Sequence, residues 1–255
     1  MASEGGAWIM RGLDWNDPLR IRTWQELENY VEEVGFLPLF AGGVTGFSAE
    51  EHVSPDFWWT GDREQDPWEW RELIAANHRV AYGKFFDGRA GFISRAWLPA
   101  FANSRRDGYD FDGRWQDGLA DHREKRIMER FMDVESEDEP LFYGKGMLST
   151  ELKKVAGFGK GGEKNFPGIV TGLQERLYLV IAGFRRRENK RGDPYGMGVS
   201  LLQPPETLWG YDLLSSAYGE APSASWQRLF DRVRAICPGA DDREIGRLVG
   251  KRPGD

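Results

Sequence analysis

The residues best suited to chemistry are basic side chains concentrated between Lys145 and Arg191. Eleven bases and four acids lie there, so this segment carries +7 in a chain whose formal net charge is -7. Lysines and arginines gathered on one surface displace the condensed counterions of nucleic acid and bind its phosphates. The segment therefore favours DNA as a partner, with an affinity that falls as salt rises. The predicted DNA-contacting residues are Lys153, Lys160, Lys164, Asn165, Thr171, Gln174, Arg185, Arg186, Arg187, Lys190 and Arg191.

The same basic residues have a second explanation. Charged side chains on an edge strand protect it from pairing with other molecules. A domain of short helices and a hairpin can also dock another protein. Both alternatives stay open on the sequence alone.

Aromatic side chains form a second concentration, between residues 57 and 115. Their rings stack on bases at about 1 to 3 kcal/mol each, and neighbouring arginines could hold a phosphate. Most such rings simply pack in a core, and this is the interpretation that we favour. The candidate pocket residues are Trp58, Trp59, Trp68, Trp70, Arg105, Arg106, Asp107 and Tyr109.

Residues that could bind a metal or a phosphate, or react as a thiol, are only weakly indicated elsewhere in the sequence. His52, His78 and His122 lie far apart without a second ligand at helical spacing, so we expect no metal site. The glycine-rich stretch 157–162 lacks the G-K-[ST] ending of a phosphate loop and predicts a turn between helices. We expect the single cysteine, Cys237, to pack in the interior. No cofactor is predicted.

The first half of the chain contains clear start and stop signals. Thr23 and Glu26 have the spacing of a capping box, which predicts a helix up to Gly35. Asp66 followed by Pro67 predicts a second helix through about residue 76. Asp87-Gly88 between two aromatic-rich runs predicts a β-hairpin with a type I′ turn. Residues 98–118 contain repeated Asp-Gly steps and indicate loops.

The second half predicts a winged helix. Helices are expected over 119–132, 148–158 and from Asn165, where Ile169, Leu173 and Leu177 recur every four residues. Two apolar runs, 178–184 and 196–202, flank the basic loop and predict a hairpin. Further helices are expected near 205–209, 226–236 and 241–249.

The acidic run DVESEDE at 133–139 is too charged to bury and predicts a linker. The expected fold class is α+β, with an aromatic-rich domain at 21–132 whose last helix the winged helix shares. A winged-helix domain follows at 140–210 and a helical tail at 211–255. The chain starts without a basic stretch and apolar run, so we expect a cytoplasmic protein without a membrane association.

Several motifs carry a family resemblance. The stretch MLSTELKKVAGFGKGGEKNFPGIVTGLQERLYLVIAGFRR at 147–186 resembles the winged-helix AlkZ-type bacterial DNA glycosylases. The AlkZ-related proteins are a nearer match, and the resemblance covers roughly 21–210. It is carried by GFLPLF at 35–40, GFSAEEH at 46–52, DPWEWR at 66–71, AYGKFFDGRAGFIS at 81–94 and FANSRRDGYDFDGR at 101–114.

The glycosylase resemblance implies tandem winged helices that hold DNA in a basic cleft and excise bulky alkylated bases. It also implies a catalytic glutamine with a glutamine or aspartate two residues later, which together activate water. Order along the chain places this pair at 35–39, where the sequence GFLPL offers no group that could bond a water. A displaced acid such as Glu50, Glu51 or Asp107 is the alternative.

The sequence thus predicts a DNA-binding relative of these glycosylases without their catalytic pair. An active glycosylase that uses a relocated acid, or a module that binds a small ligand or a protein, are the alternatives. Oligomeric state is left open.

Overall fold

The computed structural model describes residues 2–4, 7–132, 146–189, 191–192 and 194–254. The predicted acidic linker at 133–139 and the predicted DNA contact Lys190 lie outside the described residues.

The first half is built on a three-stranded antiparallel sheet in which the third strand lies between the other two. A short hairpin of β1 and β2 precedes it. The bounds are β1 Ala2–Glu4, β2 Ala7–Ile9, α1 Trp24–Val34, β3 Phe36–Pro38, α2 Pro67–Asn77, β4 Val80–Phe86 and β5 Arg89–Ser94, and the order in the sheet is β3-β5-β4.

The predicted starts and stops of these elements are confirmed. The Thr23 hydroxyl accepts a hydrogen bond from the Glu26 N–H at 3.2 Å and begins α1. Gly35 ends it with φ 95°, and a side chain there would collide with the Trp97 ring, whose Nε1 lies 2.5 Å from the Cβ position. Asp87 and Gly88 both have positive φ in the β4–β5 turn, as a type I′ turn requires.

The expectation of loops over 98–118 is wrong. This region forms α3 Leu98–Arg106 and α4 Phe111–Gln116, followed by α5 His122–Met128. The Asp-Gly step at 107–108 ends a helix, because Asp107 and Gly108 both adopt positive φ after α3. Seven of the nine residues of α3 are buried, so tertiary packing decides its conformation.

The second half contains a sheet with the same order, its third strand again between the other two. The predicted helices at 148–158 and from Asn165 form, as do both predicted strands, whereas the helix predicted at 119–132 is limited to His122–Met128. The two-residue first strand was not foreseen, and Leu177 lies beyond its helix with φ 57°. The bounds are β6 Met147–Leu148, α6 Ser149–Val155, α7 Phe166–Glu175, β7 Val180–Glu188 and β8 Pro194–Gln203, in the order β6-β8-β7.

Four helices complete the chain: α8 Pro205–Trp209, α9 Tyr211–Ser215, α10 Pro222–Ile236 and α11 Asp242–Val249. Leu229, Val233 and Ile245 are fully buried in the same core as Phe36 and Trp70. A second core surrounds Ile127, Leu152 and Leu173. The C-terminal helices are therefore part of the first core. Within the part of the chain described, no helix is long and apolar enough to span a bilayer.

Candidate nucleic-acid interface and neighbouring cavities

Three of the basic side chains surround one surface depression of about 460 Å³. Lys153 and Lys154 reach it from the last turn of α6, and Lys160 reaches it from the glycine-rich turn that follows. Among the described residues, no carboxylate lies within ion-pair distance of these three lysines. All three lysines are exposed.

The glycine-rich turn is held in place by backbone bonds. The Phe158 N–H donates to the Lys153 carbonyl at 2.9 Å, and the Glu163 N–H donates to the Gly157 carbonyl at 2.9 Å. Phe158 itself is buried against Phe166, with ring centroids 5.2 Å apart. The prediction of a turn between helices at 157–162 is confirmed.

The residues predicted on α7 differ in their exposure. Lys164 and Asn165 are exposed at its N-terminal end, and Thr171 is half-buried. Gln174 is buried instead: its Oε1 accepts the Lys84 N–H at 3.0 Å and its Nε2 donates to the Val170 carbonyl. Gln174 therefore fastens α7 to β4 and does not lie at the surface.

The arginines on β7 are not equivalent. Arg185 is exposed, whereas Arg186 pairs with Glu69 and with Glu72, which both lie on α2. Burial alone would lower the pKa of Arg186, but the two carboxylates outweigh it and raise the pKa. Through these two ion pairs Arg186 contributes to the contact between α2 and β7. Arg187 belongs to β7 and pairs in register with Tyr195, and Arg191 is exposed beyond the strand.

The four predicted pocket tryptophans pack mainly in the first core, which is the interpretation the sequence favoured. Trp58 and Trp70 are buried, and the Trp70 Nε1 donates to the Glu64 carbonyl at 3.0 Å. Trp68 lies between Phe40 and the Arg71 guanidinium, which is 3.9 Å from the Trp68 ring centroid. Trp59, by contrast, is exposed, with 48% of its surface accessible to solvent.

Arg105 and Arg106 contact other rings than these tryptophans. The Arg105 guanidinium lies 4.7 Å from the Phe101 ring, and that of Arg106 lies 4.7 Å from the Tyr178 ring. Tyr109 contributes its carbonyl, which accepts the Tyr178 hydroxyl at 2.9 Å. The structure thus separates the predicted arginines from the predicted tryptophans.

Arg106 is the centre of a buried polar cluster. It is 1% exposed and donates to Glu206 at 2.6 Å, to the Tyr218 hydroxyl at 3.1 Å and to the Leu177 carbonyl. Burial alone would lower the pKa of Arg106, but the Glu206 carboxylate outweighs it and raises the pKa. No local pattern predicts this role, because Glu206 is 100 residues away along the chain.

Arg105 and Asp107 line a cavity of about 700 Å³, where α3, α7 and α11 meet. Arg105 donates to the carbonyls of Phe85, Glu175 and Val249. Burial lowers the pKa of Arg105 to about 10.

A smaller cavity, of about 140 Å³, lies at the end of β3, where the resemblance places the water-activating pair. Pro38 and Phe40 line it together with Arg89, Glu244 and Arg247. The carboxylate in this lining is that of Glu244 on α11, more than 200 residues from β3 along the chain.

The acids considered from sequence have other partners. Glu50 accepts the backbone N–H groups of Arg11 and Ala41, each at 2.9 Å. Glu51 accepts the Gly46 N–H at 2.9 Å and the Ser48 hydroxyl at 2.6 Å. Both carboxylates stabilise the backbone around the loop that follows β3.

A comparison with protein families bears on these surfaces. The family model described as AlkZ related matches residues 21–250, nearly the whole chain. The chain belongs to the AlkZ-related family. The match extends past the motifs at 35–114 and 147–186 through α10 and α11, so the C-terminal helices that complete the first core lie within the matched region. Among curated proteins and among solved structures no match was found.

Proposed function

We propose that this AlkZ-related protein binds DNA phosphates through the depression formed by Lys153, Lys154 and Lys160, together with Lys164 and Arg185. The observation that carries the proposal is that three lysines adjoin one depression with no carboxylate in ion-pair distance among the described residues. Backbone-directed contacts of this kind position a duplex without reading its sequence.

The architecture supports the same proposal. In the second half, a helix, a short strand, two helices and a hairpin follow one another, and the short strand pairs with the last one. This is the order of a winged helix, with β7 and β8 as the wing. The first half repeats the sheet order, which favours tandem winged helices. In such domains a helix and the wing contact the DNA backbone and grooves.

The test is a mobility shift with a DNA duplex over a series of salt concentrations. The variant Lys153→Ala/Lys154→Ala/Lys160→Ala and the variant Arg185→Ala remove proposed phosphate contacts. We expect each lost contact to reduce the slope of log K against log salt by about 0.9 and to weaken binding to unrelated sequences equally.

Arg63→Ala is the matched control, because Arg63 is an exposed cation outside the proposed surface. The control keeps the affinity and the salt slope of the unaltered protein. If the lysine triple variant also keeps both, the proposed DNA surface is wrong.

A second candidate function is an active DNA glycosylase with a relocated acid. The favouring observation is Glu244 in the 140 Å³ cavity beside Pro38 and Phe40. A carboxylate at this place could orient and deprotonate a water. The candidate requires that alkylated DNA, incubated with the protein and then with alkali, breaks at the excised positions.

Under this candidate Glu244→Gln abolishes the breaks, while Asp212→Asn, at an exposed acid on α9, preserves them. DNA that the unaltered protein binds but never breaks refutes the glycosylase and leaves the DNA-binding proposal in place.

A further inference from the structure

The 700 Å³ cavity has the size of a small-molecule site. It lies between the end of α3, the β4–β5 turn, the last turn of α7, α11 and the segment 250–254. Its volume lies within the range of ligand-binding cavities. Phe85 and Leu248 give it apolar wall, and the remaining lining is mostly polar or charged.

Two buried polar atoms at this cavity have no hydrogen-bond partner. Ser104 is 3% exposed, and its hydroxyl bonds to nothing among the described residues. The Arg105 Nε also lacks a partner, although the terminal nitrogens of Arg105 donate to three carbonyls. Because a buried polar group without a partner destabilises the folded state, the Ser104 hydroxyl indicates a group that a ligand would supply.

Charged groups of both signs line this cavity, and two of its cations already have partners: Arg105 donates to carbonyls and Arg176 pairs with Glu124. Arg247 of α11 and Lys251 and Arg252 of the following segment are exposed, and no carboxylate of the described chain lies within 4 Å of their charged nitrogens. The acids come from elsewhere: Asp107 follows α3, and Glu175 ends α7. The Glu175 carboxylate accepts the Gly88 N–H at 2.6 Å and so fixes the β4–β5 turn against α7.

Among the described residues, the lining cations without a carboxylate partner come from α11 and the segment after it, whereas the lining acids come from other elements. This arrangement fits a ligand with an anion at one end and hydrogen-bond donors at the other. Three cations suit a doubly charged phosphate, which accepts several charge-assisted hydrogen bonds. A carboxylate and a serine hydroxyl suit the hydroxyl groups of a sugar or polyol. The volume exceeds that of one phosphate ion, so it leaves room for the organic part.

We propose that this cavity binds a small phosphomonoester of a sugar or nucleoside, with its phosphate held by Arg247, Lys251 and Arg252 and its hydroxyl groups by Ser104 and Asp107. The inference does not depend on DNA binding. It assigns the cavity to a soluble ligand and the lysine depression to a separate surface.

The test is isothermal titration and thermal unfolding of the full chain with inorganic phosphate, ribose 5-phosphate and adenosine 5′-monophosphate. Ribose and adenosine are the phosphate-free controls. We expect at least one phosphomonoester to bind and to raise the melting temperature, and ribose and adenosine to bind far more weakly. Preference for ribose 5-phosphate or for the nucleotide identifies the organic part.

Three variants test the assignment of residues. Arg247→Ala and Arg252→Ala should each weaken phosphomonoester binding about tenfold, the value of one charge-assisted hydrogen bond. Arg243→Ala, an exposed arginine of α11 that does not line the cavity, should leave it unchanged. Ser104→Ala should weaken phosphomonoester binding without lowering the melting temperature of the free protein, because its hydroxyl has no partner there.

The inference is wrong if none of the three phosphates binds at millimolar concentration, or if Arg243→Ala and Arg247→Ala weaken binding equally. A protein that shifts DNA but binds no phosphomonoester refutes this inference alone. A protein that binds ribose 5-phosphate but no DNA refutes the proposed function alone.

Discussion

At the scale of single residues, two consecutive arginines on α3 join distant parts of the chain. Arg105 bonds to carbonyls of β4, α7 and α11, and Arg106 bonds to Glu206 and to the chain after α7. Guanidinium groups suit this task because they carry five donors in a fixed plane. These two side chains hold the second half of the protein against the first.

Replacing Arg106 should therefore be costly. Arg106→Ala leaves the Glu206 carboxylate buried without its cation, and we expect a loss of about 3 to 5 kcal/mol in the free energy of unfolding. The double variant Arg106→Met/Glu206→Leu removes both charges, so its free energy of unfolding should fall by much less. Urea unfolding measures both. Equal losses in the single and double variants would show that the buried charge is not the cause.

Tyr82 makes the folded state sensitive to alkali. Burial raises the pKa of its phenol to about 12, above its ordinary value near 10. A phenol that must stay neutral in the fold stabilises it below pH 10, and this contribution is lost as the pH rises from 10 to 12.

We therefore expect Tyr82→Phe, which keeps the ring packed on Phe92, to resist this loss. Relative to the variant, the unaltered protein should lose about 2 kcal/mol of unfolding free energy between pH 10 and 12. Arg105, whose pKa burial lowers, changes the unfolding free energy in the opposite direction as the pH rises. Both proteins retain Arg105, so its contribution cancels when they are compared at the same pH. A constant difference between the two proteins over that range would contradict the assignment.

At the scale of elements, Asp66 organises the loop before α2 as well as the helix itself. Its buried carboxylate accepts the N–H groups of Trp59 at 3.1 Å, Gly61 at 2.9 Å and Trp68 at 2.8 Å. The last of these is the helix cap that the sequence predicted. The other two fix the loop that brings Trp58 into the core.

Asp66→Ala should lower the free energy of unfolding by about 3 kcal/mol, because it removes the helix cap and leaves two further backbone N–H groups without partners. Asp121→Ala is the matched control. Asp121 caps α5 but is only half-buried, and we expect a loss of about 1 kcal/mol. Chemical denaturation compares them, and an equal cost for both variants would mean that the loop contacts of Asp66 contribute nothing.

At the scale of the whole molecule, the first core is assembled from both ends of the described chain. Leu27 and Phe36 come from its first elements, and Leu229, Val233 and Ile245 come from its last. The predicted division into segments 21–132, 140–210 and 211–255 remains a prediction. The last segment contributes buried side chains to the core of the first.

A chain that ends at residue 210 should consequently fail to fold cooperatively. It loses several fully buried side chains at about 1.5 to 3 kcal/mol each, which together approach the whole stability of an ordinary domain. A chain that ends at Gly250 keeps these side chains and should unfold cooperatively. Near-ultraviolet circular dichroism during thermal unfolding distinguishes them. A sharp transition in the shorter chain would show that the C-terminal helices are dispensable.

The sequence by itself determined the local elements whose signals are short-range. The capping residues Thr23 and Asp66, the turn at Asp87-Gly88 and the apolar spacing of α7 fix conformations through neighbours a few residues away. Repeated Asp-Gly steps misled the prediction over 98–118, because the same residues that form loops also end helices. The family motifs, and the charge of the segment 145–191, were also evident in the sequence.

Only the tertiary structure decided which of the predicted site residues share a surface. It placed Lys153, Lys154 and Lys160 at one depression, buried Gln174, and neutralised Arg186 with two glutamates of α2. It also brought Glu244 to β3. Apart from the lysine depression, these outcomes depend on contacts between residues about 90 to more than 200 positions apart. Neither residue type nor spacing encodes which distant side chains meet until the core has packed.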